Sequence, residues 1–474
     1  MTRPVIVWFR RDLRLADHAA LAAALADGRP VLPVYIHAPH EDGAWRPGAA
    51  SDWWLHHALA ALDADLRARG SRLMVYAGDS LAVLRELIGA TGADAVHWSR
   101  CYEPAVIARD AAVKSALKAD GNVATSHNAA LLSEPWTIAT GTGGPYRVFT
   151  PYWRALRARL VAEPPLPAPA RVPLPQGCAA PLPGERAIAD LGLLPRIRWD
   201  AAFAQHWQPG EAGAWAAFDA FVDSTLGDYQ AKRDFPAIPG TSRLGAHLHF
   251  GAISPRQILW ALTARGLVER GEFFLRELGW REFGHHLLYH YPHTTDAPLS
   301  PRFANFPWAE PDPELLAAWQ RGRTGIPIVD AGMRELWTTG FMHNRVRMIV
   351  ASFLTKNLRY HWLHGARWFW DTLVDADLAN NTQGWQWSAG SGADAAPYFR
   401  IFNPVAQGER FDADGAYVQR WCPELAGVAP KHLHAPWTAS RPPAGYPRPI
   451  VDLRASREAA LAAWRDSAGG TGAA

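Results

Sequence analysis

The sequence predicts an α/β domain followed by an all-helical domain, and three observations carry that expectation. At 474 residues the chain is too long for a single hydrophobic core. Residues 1–130 alternate short apolar runs with helical stretches, whereas from Trp207 onward the pattern is helical almost throughout. Between the two lies a stretch so dense in proline that neither a regular helix nor a central strand fits it.

In the first domain the apolar runs 5–9, 31–37, 72–76, 95–98 and 123–126 read as strands. Helical patterns at 19–26, 53–69, 81–89 and 106–119 separate them. This alternation predicts a five-stranded parallel sheet, doubly wound, with helices on both faces. Residues 131–206, with the proline-rich run 161–183, read as an interdomain linker crossing the surface. The second domain, 207–474, has helical patterns at 255–265, 273–289, 314–320, 328–338 and 344–358. The small, polar tail 467–474 is expected to fray.

Composition excludes several classes. Hydrophobic residues make up 49% and charged residues 20%, as in ordinary globular proteins. No apolar run approaches the length a membrane helix needs. The start of the chain reads as a first strand rather than a signal peptide, so a cytoplasmic protein is expected. Cys101, Cys178 and Cys422 lie far apart and suggest neither a disulfide framework nor a zinc or iron–sulfur site. The formal charge of +3 has the sign of a nucleic-acid binder without proving one, and only five of the 48 cationic side chains are lysine. The 23 tryptophans need an account beyond core filling.

Dinucleotide and P-loop signatures are missing: the glycines at 141–144 are not followed by the rest of a phosphate loop. The histidine pairs 247/249, 285/286 and 432/434 lack metal spacing and read as structural. Thr241 and Ser242 could offer hydroxyls and backbone N–H groups to an anion, or simply cap a helix. Helical spacing puts Glu277, Trp280 and Arg281 on one side, an arrangement that could grip a base or form an amphipathic seam. Asn344, Arg347, Met348 and Ala351 share the next helical face, and the Asp375–Asp377 region could give Arg347 a carboxylate partner. Asp375 and Asp377 lack the further carboxylates a metal site would need. Trp385 and Trp387 complete the series.

Taken together, the N-terminal VWFRRDLR, the GTSRL at 240, the MHNRVRM at 342, the DADLA at 375, the GWQW at 384 and the DAAPYFRIFNP at 394 resemble the photolyase/cryptochrome family. The likeness runs from the first strand to residue 437 and is greatest to class I cyclobutane-dimer photolyases.

The resemblance implies FAD in the helical domain, light-driven repair of cyclobutane pyrimidine dimers, and damaged DNA as the partner of a monomer. Tyr229, Thr241, Ser242, Arg243, Leu244, Gly245 and Phe274 would hold the cofactor. Arg281, Arg347, Asp375 and Asp377 would surround the flavin, with Asn381 facing its N5. Trp280 and Trp387 would stack on the dimer, Glu277 and Asn344 would hydrogen-bond it, and Met348 would pack beside it. Arg233, Arg345 and Gln407 match positions that touch the DNA strand. Trp385, Trp362 and Trp308 would relay electrons to oxidised flavin. Where folate-binding members have Asn-Glu, this chain has Ala105-Val106. The resemblance therefore leaves an antenna of deazaflavin type, or none, open over folate.

Three alternatives are separable. A (6-4) photolyase would have histidines at Asn344 and Met348, and a flavin oxidoreductase would need a nicotinamide loop. A cryptochrome would not need the full set of dimer contacts.

Overall fold

A computed structural model describes residues 2–394 and 399–469. In the first half, β1 (Val5–Phe9), β2 (Val31–His37), β3 (Met74–Ala77), β4 (Ala95–Ser99) and β5 (Val123–His127) form one parallel sheet. The strand order is β3-β2-β1-β4-β5. Both faces are buried: Val5, Val7 and Phe9 enter one apolar cluster, and Ile6 and Trp8 another. That two-sided burial explains why β1 is apolar at every position rather than alternating.

Most boundaries shift by a few residues, and three differences have a visible physical cause or consequence. The third strand begins at Met74 rather than residue 72, because Arg72 is drawn away to the Cys178 carbonyl and the Glu185 carboxylate. The helix expected over 344–358 is α-helical for Asn344–Ser352 and becomes a π turn at Phe353–Asn357. The C-terminal helix Leu453–Gly469 runs into the segment expected to fray, of which 470–474 lie outside the described residues.

The 131–206 segment holds more structure than a linker. Phe149–Arg157 is a helix whose Phe149, Tyr152, Trp153 and Leu156 enter the core of the helical half, an i, i+3, i+4, i+7 stripe. The proline-rich portion instead runs along the sheet domain. There the Pro173 carbonyl accepts from Val31 N at 2.8 Å, and Val172 N donates to the Arg69 carbonyl at 3.0 Å. Further contacts fasten the two halves: Arg14 Nη1 donates to the Gly251 carbonyl at 2.8 Å and Ser254 Oγ to Asp17 Oδ2 at 2.6 Å. No helix among the described residues is long and apolar enough to cross a membrane.

Candidate active site

The helical half encloses a cavity of about 500 Å3, walled by three helices. Glu272–His290 contributes Glu277, Trp280 and Arg281, the trio that shares one helical side. Asn344–Ser352 contributes Asn344, Arg347, Met348 and Ala351, the whole of the predicted face. Leu378–Ala389 and the turn before it supply Asp375, Asp377, Asn381, Trp385 and Trp387. Glu272–His290 also contributes Phe274, and Tyr229, Ser242, Leu244 and Gly245 close the remaining side.

The polar groups are held rather than free. Arg347 Nη2 donates to both oxygens of Asp375, at 3.0 and 2.9 Å, and its Nε donates to the Met342 carbonyl at 2.7 Å. Asp377 caps its helix by accepting from Asn380 N at 2.9 Å. Burial alone would raise the Asp377 carboxyl, but His285, His249 and Arg281 outweigh it and hold it well below the usual carboxylate range. Burial pushes both imidazoles down, and their ring nitrogens stand 3.5 Å (His285) and 3.3 Å (His249) from Asp377 Oδ2. Asn381 Nδ2 donates to the Ala366 carbonyl at 2.9 Å, which fixes its amide plane.

Two glycines are required by close approach. A Cβ on Gly245 would lie 2.7 Å from Asp375 Oδ2, and one on Gly365 would lie 2.0 Å from the Trp385 ring. Each lets a neighbouring element bring its side chain into the wall.

The indole of Trp280 stacks on Phe149, with ring centres 3.7 Å apart and planes 10° from parallel. One of its faces is therefore covered from the segment read as a linker. At the mouth the Arg233 guanidinium pairs with the Glu277 carboxylate. Beside it Arg345 Nη2 donates to Asp234 Oδ2 at 2.7 Å.

Some expected residues lie elsewhere. Thr241 and Arg243 do not line the cavity. The Arg243 guanidinium packs against the edge-to-face pair of Trp207 and Phe341, 4.6 Å from each ring centre, so its side chain is a packing element. Arg345 and Gln407 lie outside the cavity wall. Arg345 sits 4.4 Å over Phe411, at the end of the Pro404–Phe411 helix that carries Gln407. Trp385 meets Phe369 at 5.0 Å and Trp319 at 6.2 Å, whereas Trp308 and Trp362 meet through His361, at 5.2 and 5.5 Å.

His249, His285 and Phe149 were not read as site residues. His247 and the 432/434 pair do keep structural roles: His247 packs at 4.9 Å on Trp54, and His434 bonds to the Asp412 carbonyl. A signal for the first two existed, since buried histidines near a conspicuous aspartate invite pairing, but the long sequence separation hid it. Part of the 394–404 motif, residues 395–398, lies outside the described residues.

The donor set fits a flavin nucleotide. Two fixed cations, one carboxylate–guanidinium pair and a rigid amide surround a space with apolar walls at Phe274, Leu278 and Phe369. Such a constellation suits a flat heteroaromatic ring that changes charge, joined to phosphates. A smaller cavity between the halves is lined by Trp8, Arg10, Tyr35, Val106 and Phe250.

An α/β domain joined to a helical domain with this pocket defines a two-domain flavoprotein. Comparison with known proteins makes the class specific. Residues 5–170 match the family described as DNA photolyase, and residues 274–466 match the FAD binding domain of DNA photolyase. The chain is 48% identical to a deoxyribodipyrimidine photo-lyase of Agrobacterium fabrum, over 98% of each chain. It is 38% identical to cryptochrome-2 of Arabidopsis thaliana, covering 97% of this chain and 78% of that one. A solved bacterial class III photolyase from Agrobacterium tumefaciens superposes with a TM-score of 0.94 at 46% identity, over 99% of this chain and 98% of the other. The chain belongs to the photolyase/cryptochrome family. The expected class I subclass gains no support, because that close structural relative is described as class III.

Proposed function

We propose that this chain uses light to repair cyclobutane pyrimidine dimers in DNA, with FAD as the resident cofactor. The observation that carries the reading is the shared cavity. Trp280, Trp387, Glu277, Asn344 and Met348 open onto the same space as Arg281, Arg347, Asp375 and Asn381. The first group matches the chemistry of a pyrimidine pair, and the second that of a flavin. The deoxyribodipyrimidine photo-lyase relative supports the lyase assignment.

Enzymes that act on a base extrude it from the duplex, photolyases among them. Trp387 and the uncovered face of Trp280 stack on the extruded pair, and Phe149 behind Trp280 holds that indole in place. Glu277 accepts hydrogen bonds from pyrimidine N–H groups, while Asn344 both donates and accepts. Met348 packs a polarisable thioether on the saturated ring. Reduced FAD, which Arg281, Arg347, Asp375 and Asn381 would hold, would supply light-driven one-electron chemistry to the dimer with no net redox change. The fixed Arg347–Asp375 pair and the Asn381 amide set the electrostatics of that compartment, and its apolar walls exclude water. Trp385, Trp362 and Trp308 serve as the relay that restores reduced flavin. Arg233, Arg345 and Gln407 contact the strand around the lesion. We assign any second chromophore to the cavity between the halves, where Val106 offers a pterin no hydrogen bond.

The test is illumination of reduced holoprotein with an oligonucleotide carrying one thymine dimer. Return of both thymines under blue light and not in the dark supports the reading. Intact dimers after saturating light would contradict it and favour a cryptochrome-like photoreceptor.

A further inference from the structure

Glu277 and Arg233 both have substrate to bind in the reading above, yet in the structure each is occupied by the other. Glu277 projects from the Glu272–His290 helix. Arg233 directly follows the short helix Tyr229–Lys232, with its guanidinium 5.3 Å from the Tyr229 ring centre. Both line the cavity, and the two side chains keep 23% and 29% of their exposure, so the pair stands at the mouth between bulk water and the pocket. Burial alone would lower the Arg233 pKa, but the Glu277 carboxylate outweighs it and the net shift is upward, as for a well-made pair.

The adjacent residue makes a second pair with a different geometry. Asp234 holds Arg345 at 2.7 Å, and Asp234 does not line the cavity. A base entering the pocket can therefore displace the partner of Arg233 but not the partner of Arg345.

We infer that Arg233 is a lesion-gated phosphate contact: it stays on Glu277 until an extruded pyrimidine takes that carboxylate, and only then engages the DNA backbone. The inference rests on the repair reading above. An ionised carboxylate only accepts hydrogen bonds, and a pyrimidine N3–H donates one. On undamaged duplex no base enters, so moving Arg233 to a phosphate would strand Glu277 in a half-buried site, a loss comparable to the gain. On damaged duplex the entering base replaces the guanidinium, and the phosphate contact comes at no such cost. Pocket occupancy and backbone binding are thereby coupled, and the coupling favours damaged over undamaged DNA.

The experiment measures dark binding of FAD-loaded protein to a duplex with one thymine dimer and to the same duplex undamaged, across a salt series. For Arg233→Ala the expected result is about tenfold weaker binding of the dimer duplex with a salt slope shallower by about 1. Its affinity and slope on undamaged duplex stay as in the parent. Glu277→Gln, which leaves Arg233 without an anion, should bind undamaged duplex several-fold tighter with a slope steeper by about 1. Arg345→Ala, whose pair is not gated, should weaken both duplexes by the same factor. Equal weakening of both duplexes by Arg233→Ala overturns the gating. So does no effect of Arg233→Ala while Arg345→Ala still weakens both. If neither arginine variant changes binding to either duplex, the DNA-contact assignment of both arginines fails and the gating with it, while the repair reading is decided separately by the photorepair assay.

Discussion

Arg347 and Asp375, 28 residues apart, are joined by one guanidinium nitrogen donating to both carboxylate oxygens, at 3.0 and 2.9 Å. The pair fastens the Asn344–Ser352 helix to the turn before Leu378–Ala389, so two cavity walls share one electrostatic joint. Removing the carboxylate leaves a cation facing the flavin space without its partner. Breaking a fully buried pair costs about 3–5 kcal/mol. Because Arg347 is a quarter exposed, we expect about 1–2 kcal/mol, or roughly tenfold weaker FAD binding in Asp375→Ala. Flavin content after dialysis checks it, with circular dichroism showing that the fold survives. Full flavin retention would show that the pair does not hold the cofactor.

The contact between Gly365 and Trp385 gives a second prediction. A methyl at residue 365 would collide with the indole at 2.0 Å, so Gly365→Ala must move either helix Trp362–Thr372 or the ring. Overpacking of this kind costs about 1–3 kcal/mol. Tm should fall, and photoreduction of oxidised flavin should slow more than in Gly89→Ala, in the α/β domain, where nothing lies within 4 Å of the added methyl. Equal photoreduction rates in the two variants would remove Trp385 from the relay.

Phe149 backs Trp280, and its loss should be felt by the substrate rather than by the cofactor. Phe149→Leu keeps the site apolar but ends the parallel ring contact. An aromatic pair contributes about 0.5–1.5 kcal/mol beyond its buried area. Affinity for dimer-containing DNA should drop several-fold with FAD content unchanged. Loss of FAD with unchanged lesion affinity would place Phe149 on the wrong side of the pocket.

Acid should destabilise the fold. His247, His285, His286 and His343 are buried, and burial pulls each imidazole down to about 4 from 6.5. Between those values the unfolded chain binds more protons, so the stability these groups contribute above 6.5 is lost as pH falls toward 4. Glu282 acts in the opposite sense. Burial pushes its carboxyl from 4.5 up to about 7, so its contribution is present at low pH and lost as pH rises through that window. Asp52, likewise pushed by burial up to about 7, adds to Glu282, while His127, pulled down to about 4, joins the imidazoles; these five imidazoles outweigh these two carboxyls. Tm should fall from pH 6.5 to 4.5, and more steeply in Glu282→Gln, where the opposing contribution is gone. A Tm that rises on acidification would refute this assignment.

The sheet was readable because β1 and β2 are dense apolar runs and the shorter, more mixed β4 and β5 alternate with helical stretches, and the starts of all four agree to the residue. The cavity faces on Glu272–His290 and Asn344–Ser352 were readable because helical periodicity places Glu277 with Arg281 and Asn344 with Arg347 without any tertiary information. What spacing could not supply was partnership across the chain. The His249–Asp377–His285 cluster, the Arg233–Glu277 pair and the Phe149–Trp280 stack each join residues that local patterns keep apart. Arg243 shows the converse: the family resemblance implied a cofactor contact, but its guanidinium packs on Trp207 and Phe341. Phe149–Arg157 was overlooked although its apolar stripe is regular, because the prolines beyond it set the tone of the whole segment.

The measurement that bears most directly on the account is a parallel photorepair assay on two defined lesions. Met348 and Asn344 line the pocket where a proton-donating histidine would be needed for (6-4) chemistry, and neither can act as a general acid near neutral pH. Cyclobutane splitting needs only the electron and a fitted pocket. Reduced holoprotein should therefore restore thymines from the cyclobutane dimer under blue light and leave the (6-4) product untouched, as read by chromatography of the digested strand. Repair of the (6-4) product with the cyclobutane dimer left intact would contradict the assignment.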